Sequence, residues 1–343
     1  GLIFQQYRTE HNYPSAIGST GWFTHERRFV EWAEANGHRF DYAVSSDLDT
    51  GAAVLDGYDR VISVGHDEYW SAGQRDAIEA HIEQGGDFAS FSGNTMFWQV
   101  RLEPSAHQSE AVPHGSAAAD QPTMVCHKYS AHLDDPMVAA GSPELASGLW
   151  ADPLVGRPEW SVLGAGSAFG LYHRFGNATA RGTGGFLVYR PDHWLMEGTG
   201  LRYGDLLGAG HGVVGYETVG CPISFDEFQQ PVAAYRDDLP ELHEIVGYTP
   251  SSNLGVGDYP KSIAASSDQG DLEFLADRIH GGATETNLAR VRNGNAVMVV
   301  CRPFGPTGGE VVTVGTTDWV FGLADDPSVA RVNSNVLTRL KTR

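Results

Sequence analysis

The sequence predicts an α/β fold with a mainly parallel sheet flanked by helices, and three consecutive segments carry this prediction. Residues 61–64 form a short β-branched apolar run typical of a buried strand. A helical pattern then begins at Ser71, a residue suited to cap a helix, and stops at the Gly85-Gly86 pair. Residues 88–91 form a second apolar run. A strand, a helix and a strand joined by short links favour a right-handed crossover between parallel strands.

The other elements follow from similar patterns. A helix is predicted before the first strand, over residues 23–36, and a closing helix near the end, over residues 327–340. Further strands are predicted over residues 40–44, 123–129, 295–301 and 310–314, a short helix over residues 52–55, and a helix or loop within residues 223–246.

The distribution of apolar runs and loop-forming residues along the chain predicts one α/β domain with an insertion. Residues 22–130 and about 221–343 are assigned to the core. Residues 131–220 contain short apolar runs separated by Gly, Pro and Asn, which indicate a β-rich or loop-rich cover over the sheet. Residues 1–21 are interpreted as the remnant of a larger chain.

The composition and motifs of the chain disfavour several functional classes. The formal net charge of −20 disfavours a nucleic-acid partner, because phosphate would be repelled. No segment resembles a membrane span or a secretory signal, and no glycine-rich nucleotide motif lies between a strand and a helix. The three cysteines are odd in number and far apart, which favours reduced thiols in a cytoplasmic protein.

Polar residues follow both strands of the first unit. His66, Asp67, Glu68 and Tyr69 come after the first strand, and Asn94 comes after the second. In open α/β sheets, ligands bind beyond the carboxyl ends of the strands, so these residues are expected to face one crevice. An imidazole and a carboxylate two residues apart can share a metal ion, or one can orient the other for proton transfer. The alternative is a hydrogen-bonded cluster that only closes the turn.

Several motifs resemble the C-terminal domain of the N,N-dimethylformamidase large-subunit (beta-subunit) family. They are SVGHDEYWS, GGDFASFSGNTMFWQVR, TMVCHKY, GTGL, GVVGYE and GTTDWVFGL. The resemblance implies a glutamine-amidotransferase-like, flavodoxin-like fold. In dimethylformamidase itself it also implies one iron ion, held by two tyrosines and a glutamate, that serves the hydrolysis of a small amide. By motif, Glu68 corresponds to the metal-ligand glutamate, and His66 and Asn94 to groups that orient the substrate or the ligands.

The tyrosine ligands are the point where this chain departs from the family. Larger members carry an upstream segment with a tyrosine motif that is missing here. Tyr7 and Tyr13 are early enough to substitute, and Tyr7 is assigned as the candidate ligand. The alternative is a surface or packing tyrosine. Tyr42 and Tyr69 are the other tyrosines considered for reaching Glu68.

Three more residues complete the predicted site. The resemblance brings the Gly-Tyr-Glu motif near the pocket, which makes Glu217 the candidate base; its alternative is a structural partner for an arginine or a backbone amide. Tyr69 and Trp319 are predicted to contact the substrate. The alternative for Trp319 is that it fixes the last turn.

Two hypotheses follow. The first is an iron-dependent hydrolase of small linear amides, with His66, Glu217 and Asn94 as catalytic residues and Glu68 and Tyr7 as iron ligands. The second is a non-catalytic amidotransferase-like domain or subunit that binds a ligand such as a carbohydrate. The expected partners are a small amide and either further copies of the chain or a small partner subunit, with neither nucleic acid nor membrane.

Overall fold

A computed structural model describes residues 21–49, 51–104, 123–171, 183–234, 238–252 and 268–339. The strands are β1 (Arg60–His66), β2 (Tyr69–Ser71), β3 (Asp87–Gly93), β4 (Trp98–Glu103), β5 (Thr123–Val125), β6 (Gly166–Leu171), β7 (Phe186–Val188), β8 (Leu206–Leu207), β9 (Thr218–Gly220), β10 (Ile223–Phe225), β11 (Pro231–Ala233), β12 (Leu242–Ser252), β13 (Asn293–Arg302) and β14 (Val311–Thr313).

The α-helices are α1 (Arg27–Ala35), α2 (Ser45–Leu48), α3 (Ala72–Glu83), α4 (Ala131–Asp134), α5 (Pro136–Ala139), α6 (Trp160–Leu163), α7 (Asp268–His280), α8 (Glu285–Arg292) and α9 (Pro327–Arg339). A π-helical turn, Trp22–Glu26, leads into α1. The 3-10 segments are Ala52–Leu55, Lys128–Ser130, Pro143–Leu145, Trp194–Met196, Ala209–His211 and Thr317–Gly322.

The principal sheet has seven strands in the order β1-β3-β14-β13-β12-β7-β8. Within this sheet, β3 is parallel to both of its neighbours, β1 and β14. The pairs from β14 to β8 are antiparallel. The prediction of a mainly parallel sheet is therefore wrong for the sheet as a whole and holds only for three strands.

The short link between β13 and β14 explains why these two strands are antiparallel. Residues 303–310 separate β13 from β14. A parallel connection needs about a dozen residues or more to cross over the sheet, so a link of this length returns the chain in the antiparallel sense. The amidotransferase-like fold implied by the resemblance remains a prediction.

The individual elements agree with the sequence in part. The helices predicted over residues 23–36, 52–55 and 327–340 are present within a few residues, as are the strands over 295–301 and 310–314. Residues 40–44 form no strand, and Tyr42 and Val44 are more than half exposed. Within residues 223–246, β10, β11 and the start of β12 replace the predicted helix or loop. The predicted insertion contributes β7 and β8 to the principal sheet, so that it extends the sheet as well as covering it.

The core lies on both faces of the principal sheet. One cluster joins α1 and α9 to residues of β3, β13 and β14, and a second joins α3 to the opposite side chains of the same region. Ser71 caps α3 through a reciprocal pair of hydrogen bonds with Gln74, as the sequence predicts. These layers hold the carboxyl ends of β1, β3 and β14 at one edge. No helix in the described ranges is long and apolar enough to cross a membrane.

Candidate active site

The candidate site lies at the carboxyl ends of the parallel strands. His66 is the last residue of β1, and Asn94 directly follows β3. Glu217 immediately precedes β9, which reaches the same edge because Thr218 forms a bridge with Thr316 after β14. Three segments distant in sequence therefore meet at one point.

Hydrogen bonds to its backbone fix the position of Glu217. Its carbonyl oxygen accepts hydrogen bonds from the backbone nitrogen and from the hydroxyl of Thr317, both at 3.0 Å. A β-carbon at Gly93 would lie 2.1 Å from the same oxygen, so only glycine permits this approach. The amide of Tyr216 donates to the Asp318 carboxylate at 2.9 Å. The side chain of Glu217 is 4% exposed.

His66 and Glu217 form a close ion pair, with 2.5 Å between Nε2 and Oε2. Burial alone would lower the pKa of His66. The charge of Glu217 and its hydrogen bond, with smaller effects from Glu68 and Asp67, outweigh burial and raise that pKa to about 9. The imidazole is therefore a cation at neutral pH.

Glu68 is the second carboxylate beside this imidazole, with 3.7 Å between its Oε2 and Nε2 of His66. Its carbonyl oxygen accepts the amides of Phe97 and Trp98, which fixes the backbone at the head of β2. Burial raises the pKa of Glu68, and the nearby negative charge of Glu217 raises it further. A cation placed at this carboxylate would therefore be stabilised.

Lys128 supplies a cation that the sequence did not assign to the site. Its ammonium donates to the hydroxyl of Tyr69, which in turn is hydrogen-bonded to Glu68. The ammonium also lies 4.7 Å from the centre of the Tyr69 ring and 5.6 Å from that of Trp98. Burial, followed by the charge of Glu68, raises the pKa of Tyr69, so its hydroxyl stays a neutral donor.

Left-handed backbone conformations concentrate here. Asn94 has φ of 55°, Met96 has 56° and Lys128 has 52°. Such conformations cost roughly 1–3 kcal/mol for non-glycine residues and persist only where the surroundings impose them. Asn94 is 3% exposed, and its side-chain oxygen has no hydrogen-bond partner among the described residues. A buried amide in this state can bind a polar ligand.

A second layer of titratable groups lies behind the site, and two of its members, His25 and Glu26, were not predicted from the sequence. His25 and Glu26 come from the π-helical turn before α1. Nε2 of His25 lies 3.7 Å from the carboxylate of Asp318, and burial raises the pKa of Glu26 beside Asp67 and His66. Burial also raises the pKa of Asp67, whose carboxylate accepts a 2.6 Å hydrogen bond from a serine hydroxyl of β1. The spacing of apolar residues that predicts a helix here does not indicate that its first turn belongs to the site.

The site opens into a cleft of about 210 Å³. Its polar lining comes from Glu68, Asn94, Lys128 and Glu217. The remaining lining is apolar or aromatic and comes from Tyr69, Phe97, Trp98, Tyr129, Tyr216, Phe274 and Leu275.

One of the predicted site residues in the described part of the chain lies away from the cleft. Trp319 is fully buried in the core and donates from its indole nitrogen to Asn333 of α9, so the prediction that it contacts substrate is wrong. The 3-10 turn after β14 directs this side chain into the core, which agrees with the alternative reading. Tyr7 and Tyr13 lie outside the described residues. Tyr42 is 61% exposed, and its hydroxyl donates a hydrogen bond to Glu34, away from the cleft.

The donors needed for the implied iron are present only in part. Glu68 is a suitable carboxylate, and the hydroxyl of Tyr69 is next to it but is engaged with Lys128. Within the described parts of the chain, no group of three His, Cys, Asp or Glu side chains is placed to hold a metal ion. The described residues thus supply one ligand of the implied set.

An imidazole lies between two carboxylates beside a cleft at the carboxyl edge of an α/β sheet, an arrangement that is chemically capable of proton transfer. Residues 5–333 match the family model described as N,N-dimethylformamidase beta subunit-like, C-terminal. The chain belongs to that family.

Two curated proteins are similar in sequence. One is the N,N-dimethylformamidase beta subunit of an Alcaligenes species, 28% identical over 201 residues. The other is the N,N-dimethylformamidase beta subunit of Paracoccus aminophilus, 27% identical over 201 residues. Each match covers 55% of this chain and 23% of the relative, so the chain aligns with less than a quarter of either protein's length.

Proposed function

We propose that this chain carries the acid–base site of a hydrolase that cleaves the C–N bond of small amides. Family membership and the names of the curated relatives support an amide as substrate. The observation that carries the proposal is the 2.5 Å contact between His66 and Glu217 beside a cleft lined by Glu68 and Asn94.

Glu217 acts first in the proposed reaction. Its carboxylate takes a proton from a water molecule, and the water oxygen forms a bond to the carbonyl carbon of the amide. The amide group of Asn94 can donate to the carbonyl oxygen, where negative charge develops, or accept from the water with its unpartnered oxygen. Asn94 is buried, has a left-handed backbone and lines the cleft.

His66 completes the reaction. Its imidazolium donates a proton to the leaving nitrogen as the C–N bond breaks, which releases an amine and a carboxylic acid. Glu217 then returns the proton it took from water to His66 across the 2.5 Å contact. One water is consumed, and both side chains regain their starting states.

Iron is part of this proposal. Glu68 would hold the ion, together with Tyr7 and a further tyrosine outside the described residues. When bound, iron would supply Lewis-acid polarisation of the amide carbonyl. The raised pKa of Glu68 supports this assignment, because a cation would relieve the cost of its burial beside Glu217.

Amine release from N,N-dimethylformamide tests the reaction. His66→Gln and Glu217→Gln should each lower kcat by about 100-fold or more, since a positioned acid or base contributes roughly that much. His193→Gln and Glu244→Gln are matched controls, because these residues form a His–Glu pair at 3.6 Å outside the cleft. Equal losses in both pairs, or full activity without His66 and Glu217, would overturn the proposal.

Elemental analysis tests the metal separately. About one iron per chain is expected in the purified protein, with loss in Glu68→Gln and in Tyr7→Phe. Iron that persists in both variants would refute these ligands. Hydrolysis by a chain that binds no iron would remove the metal from the proposal and leave the acid–base pair.

The curated relatives are named as subunits, which supports a further proposal that this chain works in an assembly with another subunit or further copies of itself. The native mass of the purified protein measures this directly. A monomer that is fully active would refute it.

A further inference from the structure

The lining of the cleft has two chemically distinct parts. The carboxyl edge of the sheet provides the acid–base groups, and a second part is aromatic. Tyr129 packs against Phe274 with ring centroids 4.9 Å apart, and Trp98 lies 5.2 Å from Tyr129 and 5.9 Å from Phe274. These three rings contact one another and line the cleft, Trp98 being 2% and Tyr129 48% exposed, and they are called here the ring wall.

The ring wall is assembled from three elements. Trp98 begins β4, Tyr129 lies in the 3-10 turn after β5, and Phe274 lies in α7. Helix α7 is held by a bidentate ion pair, in which Arg278 contacts the two carboxylate oxygens of Asp152 at 2.7 and 3.1 Å. Because this ion pair anchors the helix that carries Phe274, less ordering of α7 is needed when a ligand binds.

The polar lining of the cleft includes a buried amide. The side chain of Asn94 lines the cleft, and its oxygen is buried without a hydrogen-bond partner among the described residues. A side-chain amide can both donate to and accept from another amide, so this contact suits a carboxamide ligand.

The volume of the cleft suits a small ligand. At about 210 Å³ it is below the ~300 Å³ at which sites for drug-sized ligands begin.

We propose that the preferred substrate is a small neutral carboxamide bearing one aromatic ring, with the ring against Trp98, Tyr129 and Phe274 and the amide group at Asn94 and Glu217. The inference rests on the proposed function and adds its substrate class. Aromatic ligands gain offset or edge-to-face contacts with such rings that an aliphatic amide cannot make.

The test compares formanilide with N,N-dimethylformamide on the purified chain and on two variants. Phe274→Leu removes a ring of the wall and keeps an apolar side chain in α7. Phe228→Leu is the matched control, because Phe228 is 73% exposed and lies outside the cleft. The wild type should prefer formanilide by about tenfold or more in kcat/KM, and Phe274→Leu should reduce that preference by about tenfold through KM.

The outcomes separate the two proposals. Hydrolysis of dimethylformamide without preference for formanilide, or an equal loss on both amides in Phe274→Leu, overturns the aromatic substrate and leaves the amide hydrolase intact. Hydrolysis of neither amide overturns the proposed function. In that case benzamide and acetamide are compared as ligands by calorimetry. Tighter binding of benzamide that is lost in Phe274→Leu retains the aromatic specificity, and equal binding of the two removes it.

Discussion

The charge of Glu217 is predicted to control the protonation of His66. In Glu217→Gln the shape of the side chain is kept, but the negative charge 2.5 Å from Nε2 is removed. The pKa of His66 should then fall well below 9, because burial lowers it and only the weaker effects of Glu68 and Asp67 remain to raise it.

The size of the effect on stability follows from the rise in the pKa of His66. A rise from 6.5 to about 9 corresponds to roughly 3 kcal/mol, at about 1.4 kcal/mol for each pKa unit. Because the folded-state pKa of His66 is raised, this stabilisation is fully present below pH 6.5 and is lost as the pH rises through 9. The free energy of unfolding of the wild type should therefore decline over that window, and that of Glu217→Gln should decline much less.

Two assays check the prediction. Proton–carbon NMR in the presence of a chelator follows the imidazole signals with pH, and His66→Gln identifies the relevant one among the 14 histidines. Urea unfolding at pH 6, 7, 8 and 9 measures the linked stability. Glu244→Gln, in a His–Glu pair elsewhere, should leave the His66 signal unchanged. A His66 pKa that stays near 9 in Glu217→Gln would refute the reasoning.

Three further predictions concern the scaffold. Gly93→Ala should destabilise the protein by about 1–3 kcal/mol in urea unfolding, because the new methyl group meets the Glu217 carbonyl, whereas Gly210→Ala has open space and should change stability little. Ser71→Ala should cost about 1 kcal/mol in the same assay through loss of the α3 cap; an unchanged unfolding midpoint would contradict the cap. Of the three free cysteines, only Cys126 is not buried, and burial raises the pKa values of all three thiols. Native protein at pH 8 should therefore react slowly with a disulfide reagent at one site, and rapid reaction of two or more would contradict this burial.

Local signals in the sequence predicted the part of the fold that holds the first half of the site. The apolar runs around residues 61–64 and 88–91, with the capped helix between them, predict two parallel strands that end at one edge. This is sufficient to bring His66, Glu68 and Asn94 together, because strand ends of a parallel pair lie side by side.

The other half depends on contacts that no local pattern encodes. Glu217 is 151 residues from His66 along the chain, and its position depends on the fit between Gly93 and the turn at Thr317. The antiparallel part of the sheet likewise depends on the lengths of the connections between strands and on which strands pair at the sheet edge. The spacing of hydrophobic residues does not encode either property. Trp319 shows the converse: it belongs to a motif that resembles a site sequence, yet its side chain is buried in the core within a 3-10 turn.

The backbone strain and the charges of the cleft have a common explanation. Left-handed Asn94 and Lys128 bring an amide and an ammonium to the two carboxylates, whose charge would otherwise be costly at this depth. Lys128 compensates Glu68 through the hydroxyl of Tyr69, while His66 compensates Glu217 directly. The two carboxylates thus differ in their surroundings, because His66 is closer to Glu217, at 2.5 Å, than to Glu68, at 3.7 Å, and the lysine is linked to Glu68. That asymmetry is the physical reason why we propose proton transfer for Glu217 and ligand or substrate binding for Glu68.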